Sequence, residues 1–201
     1  MKYFPYLLIL TSICAFAQTK TVRNDSILIW NKNEMLIWND FLSNKKHLNG
    51  RFDSDLVKHT SAILSISIDF LPKELSCKNV EDIIILPVVN RMKSFAILRS
   101  DEILKHEQIH FDIAELYARK MRKAIKGILE KNYDCNLQMI ADIYYQLDEE
   151  HWETQILYDK EIRIKGEEDK NQRKWDKKVD SLLTVFKDYE QEIFLEDIEF
   201  E

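Results

Sequence analysis

The sequence predicts an α+β fold, in which a small, mostly antiparallel N-terminal sheet packs on a helical part. Three observations point there. Only three glycines and three prolines punctuate the 201 residues, which favours helices over a turn-rich β architecture. Residues 62–70 alternate apolar and polar for most of their length, the period of a half-buried strand. From Ser100 onward apolar residues return every three or four positions, the period of helices packed through one face.

Residues 1–17 stand apart from this domain. Lys2 supplies a positive start, Tyr6 to Phe16 is mostly apolar, and Ala15-Phe16-Ala17 before Gln18 reads as an A-x-A cleavage site. The run is shorter than the roughly 18 residues of a membrane span, so no stable membrane insertion is expected. Ile13 occupies the place where a lipidated Cys14 would need a small residue before it. The expectation is an exported chain, periplasmic or secreted, cleaved near Ala17. Loss of Lys2 moves the formal charge from −6 to −7, and such an acidic protein is a poor partner for nucleic acid or anionic lipid. Cys77 and Cys135 remain. In an oxidising compartment they either pair as a disulfide or stay as two buried thiols.

Within the domain, Ile27–Asn31 and Leu36–Asn39 are β-prone runs, and the polar stretch 44–55 with Gly50 reads as a loop. Ile83 to Val89 is continuously apolar but contains Pro87, which suits an edge strand or a bulge better than a central strand. Ser94 to Leu98 is a further short strand. Ser100 then N-caps a helix whose first turn holds Asp101 and Glu102, where acids favour the dipole. That helix is expected to reach Gly127–Leu129. A second runs from near Asn136 to about Lys165 on a stripe of Leu137, Ile140, Tyr144, Leu147, His151, Tyr158 and Ile162. A charged helix with Trp175, Leu182, Leu183 and Phe186 follows Gly166. From Asp188 the chain has seven acids and no bases, the composition of a solvated tail. The expected organisation is a signal peptide at 1–17, one domain at 18–187 and an acidic tail at 188–201.

The first of these helices carries His106-Glu107-Gln108-Ile109-His110. Positions i and i+4 lie one above the other on a helix, so both imidazoles can grip one zinc ion (Zn2+), with Glu107 beside it as general base. Two histidines satisfied by backbone carbonyls in a core are the bland alternative. Against it, the same face continues as Ile113, Tyr117, Met121, Ala124 and Ile128, with an acid next to the pair. The expectation is therefore a zincin-like helical part with an HExxH helix and an antiparallel partner helix. A catalytic zinc takes three protein ligands and keeps one open position. If the two helices form an antiparallel hairpin, facing residues sum to roughly 265. Asp159 is then the best-placed third ligand, Glu161 lies half a turn further on, and His151 faces Ala114. Tyr158 is expected either to donate a hydrogen bond to a tetrahedral oxyanion or to be an ordinary stripe aromatic.

The longer string Leu104-Lys105-His106-Glu107-Gln108-Ile109-His110-Phe111-Asp112-Ile113-Ala114-Glu115-Leu116-Tyr117-Ala118-Arg119 resembles the bacterial domain of unknown function 922 family, described as secreted zinc-dependent proteases. Leu36 to Phe41 is similar to the family's early tryptophan and Asp-Phe segment, and Lys93-Ser94-Phe95 to its Ser-Trp step. Tyr158-Asp159-Lys160-Glu161 looks like its Tyr-Asp-x-Glu, and Gln172 with Trp175 like its later Gln and Trp. The resemblance implies zinc on His106 and His110 with Glu107 as catalyst. One departure stands out: the family commonly continues Thr-x-His-Gly, whereas Ile164 holds the histidine position here. The function expected is an exported zinc peptidase acting on a peptide or protein substrate. The rival, motivated by Ile164, is a catalytically inactive zinc-binding or protein-interaction module of the cell envelope.

Overall fold

The computed structural model of the chain describes residues 20–44, 61–72, 76, 82–130 and 137–198. The expected signal peptide, Cys77, Cys135 and most of the 44–55 loop lie outside the described residues. Among the described residues the fold is α+β: small antiparallel sheets and three helices. In the first sheet, β1 (Ile27–Ile29) and β3 (Ile66–Leu71) flank β4 (Ile84–Asn90). A second, two-stranded sheet pairs β2 (Ala62–Ile63) with β5 (Phe95–Ala96). Helices α1 (Asp101–Leu129), α2 (Leu137–Ile162) and α3 (Glu168–Val185) follow. Among the described residues no helix is long and apolar enough to cross a membrane.

Pro87 corrects the expectation of an edge or bulge, because it sits in the central strand. Asn90 N donates to Ser65 O, and in an antiparallel ladder bonded pairs alternate. Pro87, opposite Ile68, therefore falls at a position that needs no N–H toward β3. On the other side it faces Trp30, just past the end of β1, and its carbonyl accepts from Trp30 N at 3.1 Å. One bond is forgone, at the end of a strand. The run Leu36–Asn39 also departs from expectation, closing into a 3-10 turn at Trp38–Asp40. Asp40 decides this: its Oδ2 accepts from Ile37 N at 2.9 Å, while Arg23 and Arg91 grip its buried carboxylate from outside the turn.

Helix α1 starts as expected, with Ser100 Oγ accepting from Ile103 N. Ile113, Ala114, Met121 and Ile125 on one side of α1 join Leu28, Ile85, Val89, Ile140 and Trp175 in a single core. Polar bonds fix the other side: Gln108 Oε1 accepts from Leu36 N at 2.8 Å, and Asp112 accepts from both Gln108 and Trp30. Residues 188–198, expected from their charge to be solvated, instead pack back on the domain. Ile193 and Ile198 are buried, Glu190 pairs with Arg119 and Lys32, and Leu195 N bonds Thr21 O.

Candidate metal centre

Helices α1 and α2 run antiparallel, with His106 against Asp159 and His110 against Gln155. This is the register in which facing residues sum to 265. The turn-apart histidines of α1 therefore meet one acid of α2. His110 Nε2 lies 3.1 Å from His106 Nε2, and Asp159 Oδ1 lies 3.3 Å from His106 Nε2 and 3.4 Å from His110 Nε2. Asp159 Oδ1 is buried and makes no hydrogen bond. A buried anionic oxygen left so is costly unless a cation answers it. His106, His110 and Asp159 form a group that can hold a metal ion.

The ring of His110 is oriented by Gln155. Gln155 Nε2 donates to His110 O at 2.9 Å, and a carbonyl only accepts, so the amide oxygen is the atom facing His110 Nδ1. Nδ1 must carry the hydrogen, so that in the neutral ring the Nε2 lone pair is aimed at the cluster. A ligand histidine held by its other ring nitrogen is the usual arrangement in metal sites. His106 Nδ1 is met by the Tyr158 hydroxyl at 3.0 Å.

Burial sets the protonation of this group. Glu107 is almost fully buried, and that desolvation raises its pKa against the lowering influence of the two rings. For His110, burial acts downward, but the charge of Asp159 and then that of Glu107 outweigh it, and the pKa is raised to about 9. Asp159 is held well below the usual carboxylate range, its burial overcome by the neighbouring His110 and His106.

The remaining expectations resolve residue by residue. Glu161 turns away, its Oε2 accepting from Trp175 Nε1 at 2.9 Å and pairing with Lys174 at 3.1 Å. His151 is buried one turn further along, its ring 5.7 Å from that of Tyr117 and its Nε2 on Gln155. Ile164 is exposed and outside the cluster, so the departure at that position removes none of the three donors. Tyr158 places its hydroxyl behind His106, on Nδ1 and not beside the converging nitrogens, and its side chain is fully buried. That position suits holding the His106 ring. Two residues that no motif pointed to belong to the site. Gln155 carried a faint signal, standing opposite His110 in the hairpin register. Arg163 carried none; its guanidinium reaches to 3.6 Å from Asp159 Oδ1.

A cavity of about 390 Å³ opens beside the centre, lined by His106, Glu107, Ser61, Ala62, Arg163 and Gln172 among others. Residues 91–168 match a family model described as a bacterial protein of unknown function, DUF922. Over this stretch the chain is similar to the DUF922 family. The DUF922 match takes in β5, α1 and α2, so every donor of the centre falls inside it. No curated protein and no solved structure matches the chain.

Proposed function

We propose that this chain is an exported zinc-dependent hydrolase that cleaves peptide bonds. The observation that carries the reading is the triangle of two histidine nitrogens and a buried carboxylate oxygen that makes no hydrogen bond, with a buried glutamate next to it. Bonds of about 2.0–2.1 Å at a tetrahedral angle put neighbouring zinc donors roughly 3.3 Å apart, which agrees with the 3.1, 3.3 and 3.4 Å sides found here. Two imidazoles and one carboxylate also suit zinc chemically, whereas calcium and magnesium favour all-oxygen sets. A zinc ion at this place supplies Lewis-acid activation of water and of a scissile carbonyl.

The protein's own groups do the rest. Glu107, its pKa raised by burial toward the working range of a general base, takes the proton of the attacking water and passes it to the leaving amine. Arg163, in the same cavity, is the cation placed to meet negative charge developing on the substrate. β2 pairs only with β5 among the described residues, and its Ser61–Ala62 end lines the cavity. An extended peptide can add to that free edge through main-chain hydrogen bonds. The other strands near the centre offer no such edge, since β4 is central and β5 is flanked by β2 and Ser43.

Glu107→Gln tests the reading, because the amide preserves shape but cannot accept the proton. Stoichiometric zinc should be retained while hydrolysis of a peptide library falls roughly 10²- to 10⁴-fold. Unchanged hydrolysis rejects Glu107 as base. A wild-type protein that binds zinc tightly yet cleaves nothing supports the non-catalytic envelope module instead.

A further inference from the structure

Helix α3 contributes no donor to the centre, yet a continuous chain of hydrogen bonds leads from it to His106. Its polarity can be read from the far end. The Asp176 carboxylate, paired through Oδ2 with Lys105 Nζ at 2.9 Å, only accepts. Gln172 must therefore present its Nε2 to Asp176 Oδ1, 2.8 Å away. This turns the Gln172 amide oxygen toward Tyr158, whose hydroxyl lies at 2.8 Å and must be the donor. A tyrosine has one hydroxyl hydrogen, and the alternative contact to His106 O is longer, at 3.4 Å. The Tyr158 oxygen is then left to accept, so His106 Nδ1, 3.0 Å away, carries the hydrogen. The His106 Nε2 lone pair consequently faces His110 and Asp159.

We infer that Gln172 and Asp176 are positioning residues that fix the metal-binding tautomer of His106 through Tyr158. This rests on the zinc reading for its consequence, but the tautomer itself is a property of the metal-free protein. Without the amide oxygen at 172, the Tyr158 hydroxyl is free to donate to His106 Nδ1, which drives the ring hydrogen to Nε2 and blocks the ligand atom. The buried Tyr158 ring, packed edge-on against Trp175 at 5.3 Å, cannot swing away. A shift of α3 against α2 would thus be felt at the metal centre without any contact to the ion. Outer partners of ligand histidines typically change metal affinity by roughly 10- to 100-fold.

Two readouts on the full exported chain test this. In metal-free protein with ¹⁵N-labelled histidine, wild-type His106 should show hydrogen on Nδ1, and Gln172→Ala should move it to Nε2. In zinc competition titrations, Gln172→Ala should bind roughly 10- to 100-fold more weakly. The double variant Gln172→Glu/Asp176→Asn should regain most of the loss, since a carboxylate at 172 still accepts from Tyr158 and an amide at 176 donates to it. Gln172→Ala with an unchanged tautomer and unchanged affinity overturns the inference. A double variant as weak as Gln172→Ala, although folded, overturns the assigned polarity. If wild-type protein binds no zinc, the metal reading fails and the ring-nitrogen readout alone decides.

Discussion

Two imidazole nitrogens and a carboxylate oxygen held 3.1–3.4 Å apart compete for one cation, and in its absence for one proton. The raised pKa of His110, about 9, gives the sign of the pH effect. Below that value the metal-free cluster keeps a proton that an incoming ion must displace; above it there is none to displace. Apparent zinc affinity should therefore rise about tenfold per pH unit up to about pH 9 and then level off. Titrations against a competing chelator with simultaneous proton counting check this, and a flat profile across the neutral range contradicts it. Asp159→Asn removes both a donor and the charge that raises His110. It should weaken zinc by more than the roughly 10- to 100-fold typical of outer partners and bring the levelling-off to lower pH. At this scale, His106, His110 and Asp159 were legible because helical spacing and hairpin register are local rules. The direction of the Tyr158 hydroxyl was not, since it depends on Gln172 from a third helix. Arg163 was not either, because a guanidinium near a carboxylate has no spacing signature.

Between elements, geometry at the joints decides what the site looks like. The long helices were legible from apolar periodicity and from Ser100, and the alternation at 62–70 marked β3, although its first residues form the separate strand β2. Pro87 misled because a missing N–H matters only where the ladder needs one, and the register of β1 on β4 is a long-range fact. Leu36–Asn39 misled because the buried Asp40, held by Arg23 and Arg91, outweighs β propensity. The joint between α2 and α3 is Gly166, at φ +83° with open space around a would-be Cβ. A side chain there meets no neighbour, so Gly166→Ala isolates the backbone term, roughly 1–2 kcal/mol for an L-residue in the left-handed region. Urea unfolding should show a loss of that size. A neutral result would mean that the joint adopts another conformation, and with it that α3 is not held to α2 as described.

Across the whole molecule, one buried network on α1 ties together parts far apart in sequence. Glu115 accepts from Arg119 Nε at 2.8 Å and Arg122 Nη1 at 2.9 Å. Arg122 Nε also donates to Ile85 O of β4 at 2.9 Å, and its Nη1 to Tyr189 O. Arg119 reaches Leu183 O of α3 and the Glu190 carboxylate. The two guanidinium groups thus clamp the central strand, the end of α3 and the C-terminal segment onto the helix that carries the histidines. This is why the acidic segment after Asp188 does not behave as a free tail: buried cations await it. Removing the shared anion leaves the buried Arg122 without an anionic partner and Arg119 with Glu190 alone, a loss of about 3–5 kcal/mol from a typical 5–15 kcal/mol. Glu115→Ala should accordingly lower the melting temperature by roughly 6–20 °C and expose 187–198 to proteolysis before the rest of the chain. Replacing all three charges by apolar residues, often harmless for a buried ion pair, should not restore stability here. The carbonyls of Ile85, Leu183 and Tyr189 would lose their donors, at about 1–3 kcal/mol for each one left unsatisfied in the interior. Full recovery in the triple variant would show that the clamp acts through charge alone and that these backbone contacts contribute nothing.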